Sequence, residues 1–274
     1  QLGFSMRKQG TILDDKGNAQ DWVSFKATTS RQEMTEEFYE NFWKSGSWGK
    51  KEMNKDEQVR HRVIIGLMDA FVMPRLKDRH PIRIVDVGCG RGWLTNQLNA
   101  HGSVLGIDPT AAAIKRAKEL FPDGEFLCED AIGLLDRLKI PAFDLAVSSE
   151  VIEHVPDAGK RYFLESLRDL LVPDGFAILT TPRGELWKQW LRLNLEQQPV
   201  EAWVSERELG QLCRAVGFTV IARERVFLPN FSFNRMSRLL ISKRFSRLQN
   251  VSALRRACGF YQVVLLQKKA SRAG

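Results

Sequence analysis

The chain has 274 residues, 43% of them hydrophobic, enough to bury a full core in one large domain or one and a half ordinary ones. A formal charge of +8 suits a nucleic-acid, membrane-surface or acidic-substrate partner, or simply a solvated basic face. No run of about 18 apolar residues occurs, which excludes a bilayer-spanning helix, and Cys89, Cys128, Cys213 and Cys258 form no C-x-x-C pair, which excludes a zinc site or disulfide framework. No apolar stretch near the N-terminus resembles a secretory signal, so a cytoplasmic, reduced setting is expected.

Residues 1–30 are polar and aperiodic, with a turn signal at Asp14–Asn18, and are expected to dock loosely. Met34, Phe38 and Phe42 fall at helical spacing between Arg31 and Lys44, with Tyr39 and Trp43 alongside, until Ser45-Gly46-Ser47 stops the pattern. A second helix is predicted from Lys55 to Met73, ended by Pro74. Ile82, Ile84, Val85 and Val87 read as a buried parallel strand that breaks into glycines at 88, 90 and 92, followed by a helix from Trp93 to Leu98. Strands ending at Asp108 and near Asp130 follow, then Phe143–Ser149 and, after the turn Val172–Gly175, Phe176–Thr181. Such strand–helix alternation implies a parallel sheet with right-handed crossovers.

Beyond Pro182 a helical insertion carrying Trp187 and Trp190 is expected. Ser205-Glu206-Arg207-Glu208 has the form of a capping box, opening a helix that Gly217 closes. Phe218–Phe227 and Gly259–Leu266 supply the last strands. Between them, arginines and lysines from Arg235 to Arg256 interleave with Phe231, Phe233, Met236 and Leu239. That basic amphipathic stretch, 231–256, suits contact with a membrane surface, which would make the protein peripheral there, or a helix packed on the sheet with its arginines in water.

A strand, a glycine turn and a helix make a ligand site, because the backbone can approach the ligand closely and the first helical amides face it. The third glycine comes one residue too early for the dinucleotide fingerprint G-x-G-x-x-G. Together with Asp86, the run D-x-G-x-G-x-G resembles motif I of the class I S-adenosylmethionine (SAM) methyltransferases. The resemblance implies a Rossmann-like α/β fold, a seven-stranded mostly parallel sheet whose last strand is antiparallel, with N-terminal helices and a helical insertion. It also implies SAM as cofactor. Gly88, Gly90 and Gly92 would hold the methionine end, Asp108 the ribose, and Asp130 with Ala131 the adenine; Asp86, Cys89, Pro109 and Ser148 complete the implied cofactor-binding set. Residues 1–75 would form a helical cap and 76–270 the methyltransferase domain, with substrate-side insertions at 183–204 and 229–257. Tyr39, Trp43 and Trp48 in the cap and Trp187 in the insertion become lid or substrate candidates, although the cap's apolar stripe could equally pack on the sheet.

After the fourth strand comes Glu150-Val151-Ile152-Glu153-His154. A helix starting at Glu150 would bring Glu150, Glu153 and His154 to one side, at the carboxyl end of the sheet where ligands of open α/β sheets bind. A hydroxyl acceptor is a poor nucleophile until its proton is removed, and a histidine can be the base. Two carboxylates and an imidazole can alternatively hold Mg²⁺. The phrase resembles that of the ubiquinone-biosynthesis O-methyltransferases and their small-molecule relatives, which implies O-methylation of a small, lipophilic or aromatic metabolite. N- or C-methylation of a natural product stays open. Small-RNA terminal 2′-O-methyltransferases share the phrase with a further downstream histidine; no histidine follows Pro182 here, which argues against RNA, while the basic charge argues for it, so RNA 2′-O-methylation stays as the alternative.

Overall fold

The computed structural model describes residues 12–13, 19–20, 38–39, 41–43, 49–79, 81–192, 198–226 and 259–269. The strands of the main sheet are β1 (Arg83–Val87), β2 (Ser103–Asp108), β3 (Glu125–Cys128), β4 (Phe143–Ser149), β5 (Leu171–Pro182), β6 (Phe218–Val226) and β7 (Tyr261–Lys268). They lie in the order β3-β2-β1-β4-β5-β7-β6. The first five pair in parallel, and β7 runs antiparallel to both β5 and β6. This is the sheet expected above. Its strand order reverses between β1 and β4, and such a switch point opens a crevice beyond the carboxyl ends of the two strands.

Among the described residues the helices of this frame are α1 (Lys55–Leu67), α2 (Trp93–Leu98), α3 (Ala111–Leu120), α4 (Ala131–Leu138), α5 (Asp157–Leu170), the short α6 (Trp187–Leu191) and α7 (Glu206–Ala215). On one face Ile64 and Leu67 of α1 and Leu94 and Leu98 of α2 pack with Ile84, Leu145, Val147 and Ile178. On the other, Leu134 of α4, Phe163, Leu164 and Leu167 of α5 and Leu209 of α7 pack with Val85, Ala146 and Leu179. Alternate strand residues serve opposite faces, so both layers bury apolar surface. Each fully buried Leu, Ile or Phe contributes about 1.5–3 kcal/mol.

Several local expectations are corrected. Pro74 does not end the second helix: α1 passes into a π-helical turn at Met68–Val72 and then an α-turn at Met73–Leu76. A wider turn relieves the clash that a proline ring makes with the carbonyl four residues back. Residues 12–13 and 19–20, from the stretch expected to dock loosely and read without a strand signal, pair as a two-residue antiparallel ladder. Val172–Gly175 falls within β5, as a register irregularity with Asp174 at φ 60°. No α-helix starts at Glu150. That residue has φ 60°, and Ile152–His154 form one 3₁₀ turn before α5. Pro156 is the cause, since the residue before a proline is forced out of helical geometry, and Val155 is extended at φ −93°, ψ 123°. Among the described residues no helix is long and apolar enough to cross a membrane.

Candidate active site

The glycine loop leaves β1 with Gly88, Gly90 and Gly92 at φ 76°, 53° and 81°, left-handed conformations open to glycine. The Gly88 and Cys89 amides donate to the Ile107 carbonyl at 2.8 and 2.9 Å, lashing the loop to β2. A side chain at Gly88 would collide with Val151, and one at Gly90 would bring its Cβ within 2.5 Å of Trp43 Cη2. Bare backbone is therefore required on the side where the loop meets the crevice.

Asp108, at the end of β2, accepts from the Gly90 amide at 3.0 Å and the Thr110 amide at 2.9 Å. Burial raises its pKa while these two amides oppose the rise. Two of the roughly four acceptor positions of a carboxylate are used, which leaves capacity for ribose hydroxyls. Asp130 caps α4, its Oδ1 accepting from Ile132 and Gly133. Gly88, Ile107, Pro109, Asp130, Ala131 and Val151 line an apolar-walled cleft beside the loop and Asp130. Ser148 shares the strand face of Ala146, and its Oγ is buried with no partner among the described residues. A bare-backbone loop, two carboxylates with spare acceptors, an apolar-walled cleft and an orphaned hydroxyl fit an adenosyl amino acid such as SAM.

Two of the motif residues lie beneath the loop. Asp86 is 1% exposed and accepts from Thr95 Oγ1 at 2.7 Å. Cys89 is buried, and burial beside Asp108 and Asp86 pushes its thiol well above the ordinary value, so it is no nucleophile.

On the acceptor side the polar groups lie close together but each has its own partner. Glu150 Oε1 accepts from Thr180 Oγ1 at 2.8 Å, and its Oε2 lies 3.6 Å from the Arg60 guanidinium. Buried Glu153 accepts from Thr181 Oγ1 at 2.9 Å. Burial raises both carboxyls, Glu150 to about 8 and Glu153 to about 7. His154 Nδ1 lies 2.9 Å from the Val200 carbonyl. A carbonyl only accepts, so Nδ1 carries the proton and Nε2 keeps its lone pair. Burial lowers the His154 pKa, opposed by the Val200 bond, Glu201 and Glu150.

Magnesium does not fit this arrangement. With Glu150, Glu153 and His154 tied to separate partners, no three His, Cys, Asp or Glu side chains among the described residues converge as a metal site. The expected side-by-side display fails because the α-helix that would have produced it is absent.

Of the lid candidates, Trp43 lies over Gly90 and half-buried Tyr39 donates to Gln198 Oε1 at 3.1 Å. Burial together with Glu153, Glu201 and Asp108 raises the Tyr39 hydroxyl, which places that ring among the crevice acids. Trp187 stacks 5.2 Å from Trp203, in an aromatic row that continues through Trp190 and Phe260 to Tyr261. Trp48 and the basic stretch 231–256 lie outside the described residues. Sequence reasoning missed Arg60, the Glu57–Arg91 pair beneath the loop, and Glu201. Each acts over a long sequence separation and carries no local signature.

The sequence matches a methyltransferase domain family over residues 56–223. It is 33% identical over 126 residues to a ubiquinone biosynthesis O-methyltransferase of Rhodopseudomonas palustris (strain TIE-1), covering 45% of this chain and 48% of that one. The mitochondrial ubiquinone biosynthesis O-methyltransferase of Bos taurus is 38% identical over 107 residues, covering 36% of this chain and 28% of that one. The chain thus spans about half the length, or less, of these curated relatives. Among solved structures, the N-methyltransferase NodS from Bradyrhizobium japonicum WM9, in complex with S-adenosyl-L-homocysteine (SAH), superposes with a TM-score of 0.58 at 16% identity, covering 85% of this chain and 98% of that one. That likeness shows the fold. With the family match across more than half of its length, the chain belongs to the methyltransferase domain family and has the fold of the class I SAM-dependent methyltransferases.

Proposed function

We propose that the chain transfers the SAM methyl group to a hydroxyl of a small, lipophilic or aromatic acceptor, with His154 as general base. The observation that carries this reading is the Nδ1 bond to the Val200 carbonyl, which directs the proton-accepting capacity of the ring to Nε2. The names of the ubiquinone-biosynthesis relatives support oxygen as the methylated atom.

SAM supplies a methyl carbon on a cationic sulfur, which departs as a neutral thioether. The protein has to hold that group and raise the nucleophilicity of the acceptor. Gly88, Gly90, Asp108 and Asp130 provide the cradle. His154, kept neutral near pH 7 by burial, takes the acceptor proton at Nε2 as the oxygen attacks. Glu150 and Glu153 flank it, with Arg60 beside Glu150. The aromatic row from Trp187 to Tyr261, whose rings are tilted or edge-to-face, offers an apolar surface for the acceptor.

The test is a tritium-transfer screen of hydroxylated metabolites followed by His154→Ala. That variant is expected to keep SAM affinity by calorimetry and to lose about 10²–10⁴-fold in turnover. Turnover of the wild type should fall on the acid side below the ordinary histidine value, because only neutral imidazole accepts the proton. Wild-type turnover in His154→Ala would remove the base assignment.

A further inference from the structure

The segment from Gln198 to Val204 runs beside the Glu153–His154 turn and is tied down along its length. The Ala202 amide donates to the Glu153 carbonyl at 2.7 Å, and the Val200 carbonyl accepts from His154. Lys160, buried on α5, donates to the Ala202 carbonyl at 2.5 Å. The Val204 carbonyl accepts from the Gly184 amide at 3.0 Å and from Gln262 Nε2 at 2.8 Å. One segment thereby touches the 3₁₀ turn of the proposed base, helix α5, strand β7 and, through Gln198, Tyr39 of the cap.

Glu201 is the acid of this strap. Trp203 Nε1 donates to its Oε2 at 2.5 Å, and the Gln198 amide to its Oε1 at 3.3 Å. Trp203 is itself fixed by rings at 5.2 to 5.5 Å on three sides, Trp187, Trp190 and Phe260. A carboxylate held from both oxygens loses its rotational freedom, and the residue before it, Val200, is the one bonded to His154. The same residue figures in the electrostatics of His154, Glu153 and Tyr39, three groups from separate parts of the chain.

We propose that Glu201 is a positioning residue for His154. The strap fixes the imidazole through the Val200 carbonyl, and the Glu201 carboxylate favours the imidazolium that forms when Nε2 takes a proton. This deepens the base assignment made above and rests on it for its catalytic meaning. The charged groups that act on the ring are Glu150 from its own segment and Glu201 from the strap, while Arg60 of α1 acts on Glu150 and Glu153, and Tyr39 of the cap lies in the field of Glu153 and Glu201. Two effects compete: Glu201 stabilises a proton on the ring, whereas burial opposes it. Burial already prevails, and removal of Glu201 takes away part of what opposes it, so the pKa falls further.

The test needs no acceptor. In the SAH-loaded protein, ¹⁵N imidazole spectra are recorded across pH, with His154 assigned by its loss in His154→Ala among the four histidines. Nδ1 is expected to carry the proton of the neutral ring. In Glu201→Gln the His154 resonance should titrate at lower pH than in the wild type, SAH affinity should be unchanged, and Glu201→Asp should restore part of the shift. A His154 titration identical in wild type and Glu201→Gln, or a neutral ring protonated on Nε2, overturns the proposal. Failure of the base assignment shows separately, as wild-type turnover in His154→Ala while the titration shift persists.

Discussion

At the scale of single residues, the groups under the glycine loop carry the clearest energetic consequence. Asp86 is a buried carboxyl within a core strand, and Thr95 Oγ1 donates to it. Burial raises its pKa from 3.8 to about 7. The folded chain therefore binds this proton more tightly than the unfolded chain, and stability contributed in full below 3.8 is lost as pH rises through about 7. Thr95 opposes that loss, because its hydroxyl favours the ionised form. Thr95→Val keeps the shape and removes the donor. It is expected to cost about 1.5–3 kcal/mol where the carboxylate is ionised, and less where it is protonated. Urea melts at about pH 5 and about pH 8 read the difference; an equal cost at both would mean that the carboxyl is not what Thr95 serves. Asp86 was legible from the sequence as the acid of the motif, but its position beneath the loop was not. A strand residue faces one side or the other, and only the packing of α2 decides what meets it.

At the scale of elements, α1 is a strut between the loop and the acceptor side. Its N-terminus is fixed by Asn54, whose side chain takes the Glu57 amide while Glu57 takes the Asn54 amide. Glu57 also receives both Arg91 terminal nitrogens at 2.7 Å, and each side chain is 1% exposed. One turn further, Arg60 lies over the Tyr261 ring at 4.7 Å and beside Glu150. Glu57→Ala would leave the Arg91 charge buried and unpaired, at a cost of about 3–5 kcal/mol. SAH affinity should fall with it, since Arg91 sits between Gly90 and Gly92. Denaturant melts and calorimetry check the two effects; full stability in the variant would show that water or another group replaces Glu57. The strands, the Ser205 capping box and the helix closed by Gly217 were readable because short-range period, hydrogen-bonding residues and glycine angles determine them. The Glu150 turn was misread because its helical spacing outweighed Pro156. The Glu57–Arg91 and His154–Val200 contacts join residues 34 and 46 positions apart, and no local pattern announces them.

At the scale of the molecule, the reversal of strand order between β1 and β4 produces one crevice, and two distant parts of the chain converge on it. From the N-terminal side come Tyr39 and Trp43; from beyond β5 comes the strap, and the Tyr39–Gln198 bond joins them. Trp43 shares an edge-to-face contact with Phe42 at 5.0 Å while its outer edge lies on Gly90. Under the proposed assignment of the glycine loop to the methionine end, the indole covers the surface that this part of the cofactor needs. Entry of the cofactor therefore requires the ring to move, and that motion should limit the rate of association. Trp43→Ala is expected to associate with SAH faster than wild type in stopped-flow mixing and to release it faster. Phe38, Tyr39 and Phe42 would remain to hold the cap, through ring contacts at 5.3 to 6.3 Å. An association rate equal to that of wild type would mean that the indole already stands clear of the path, and that the cap serves the acceptor alone.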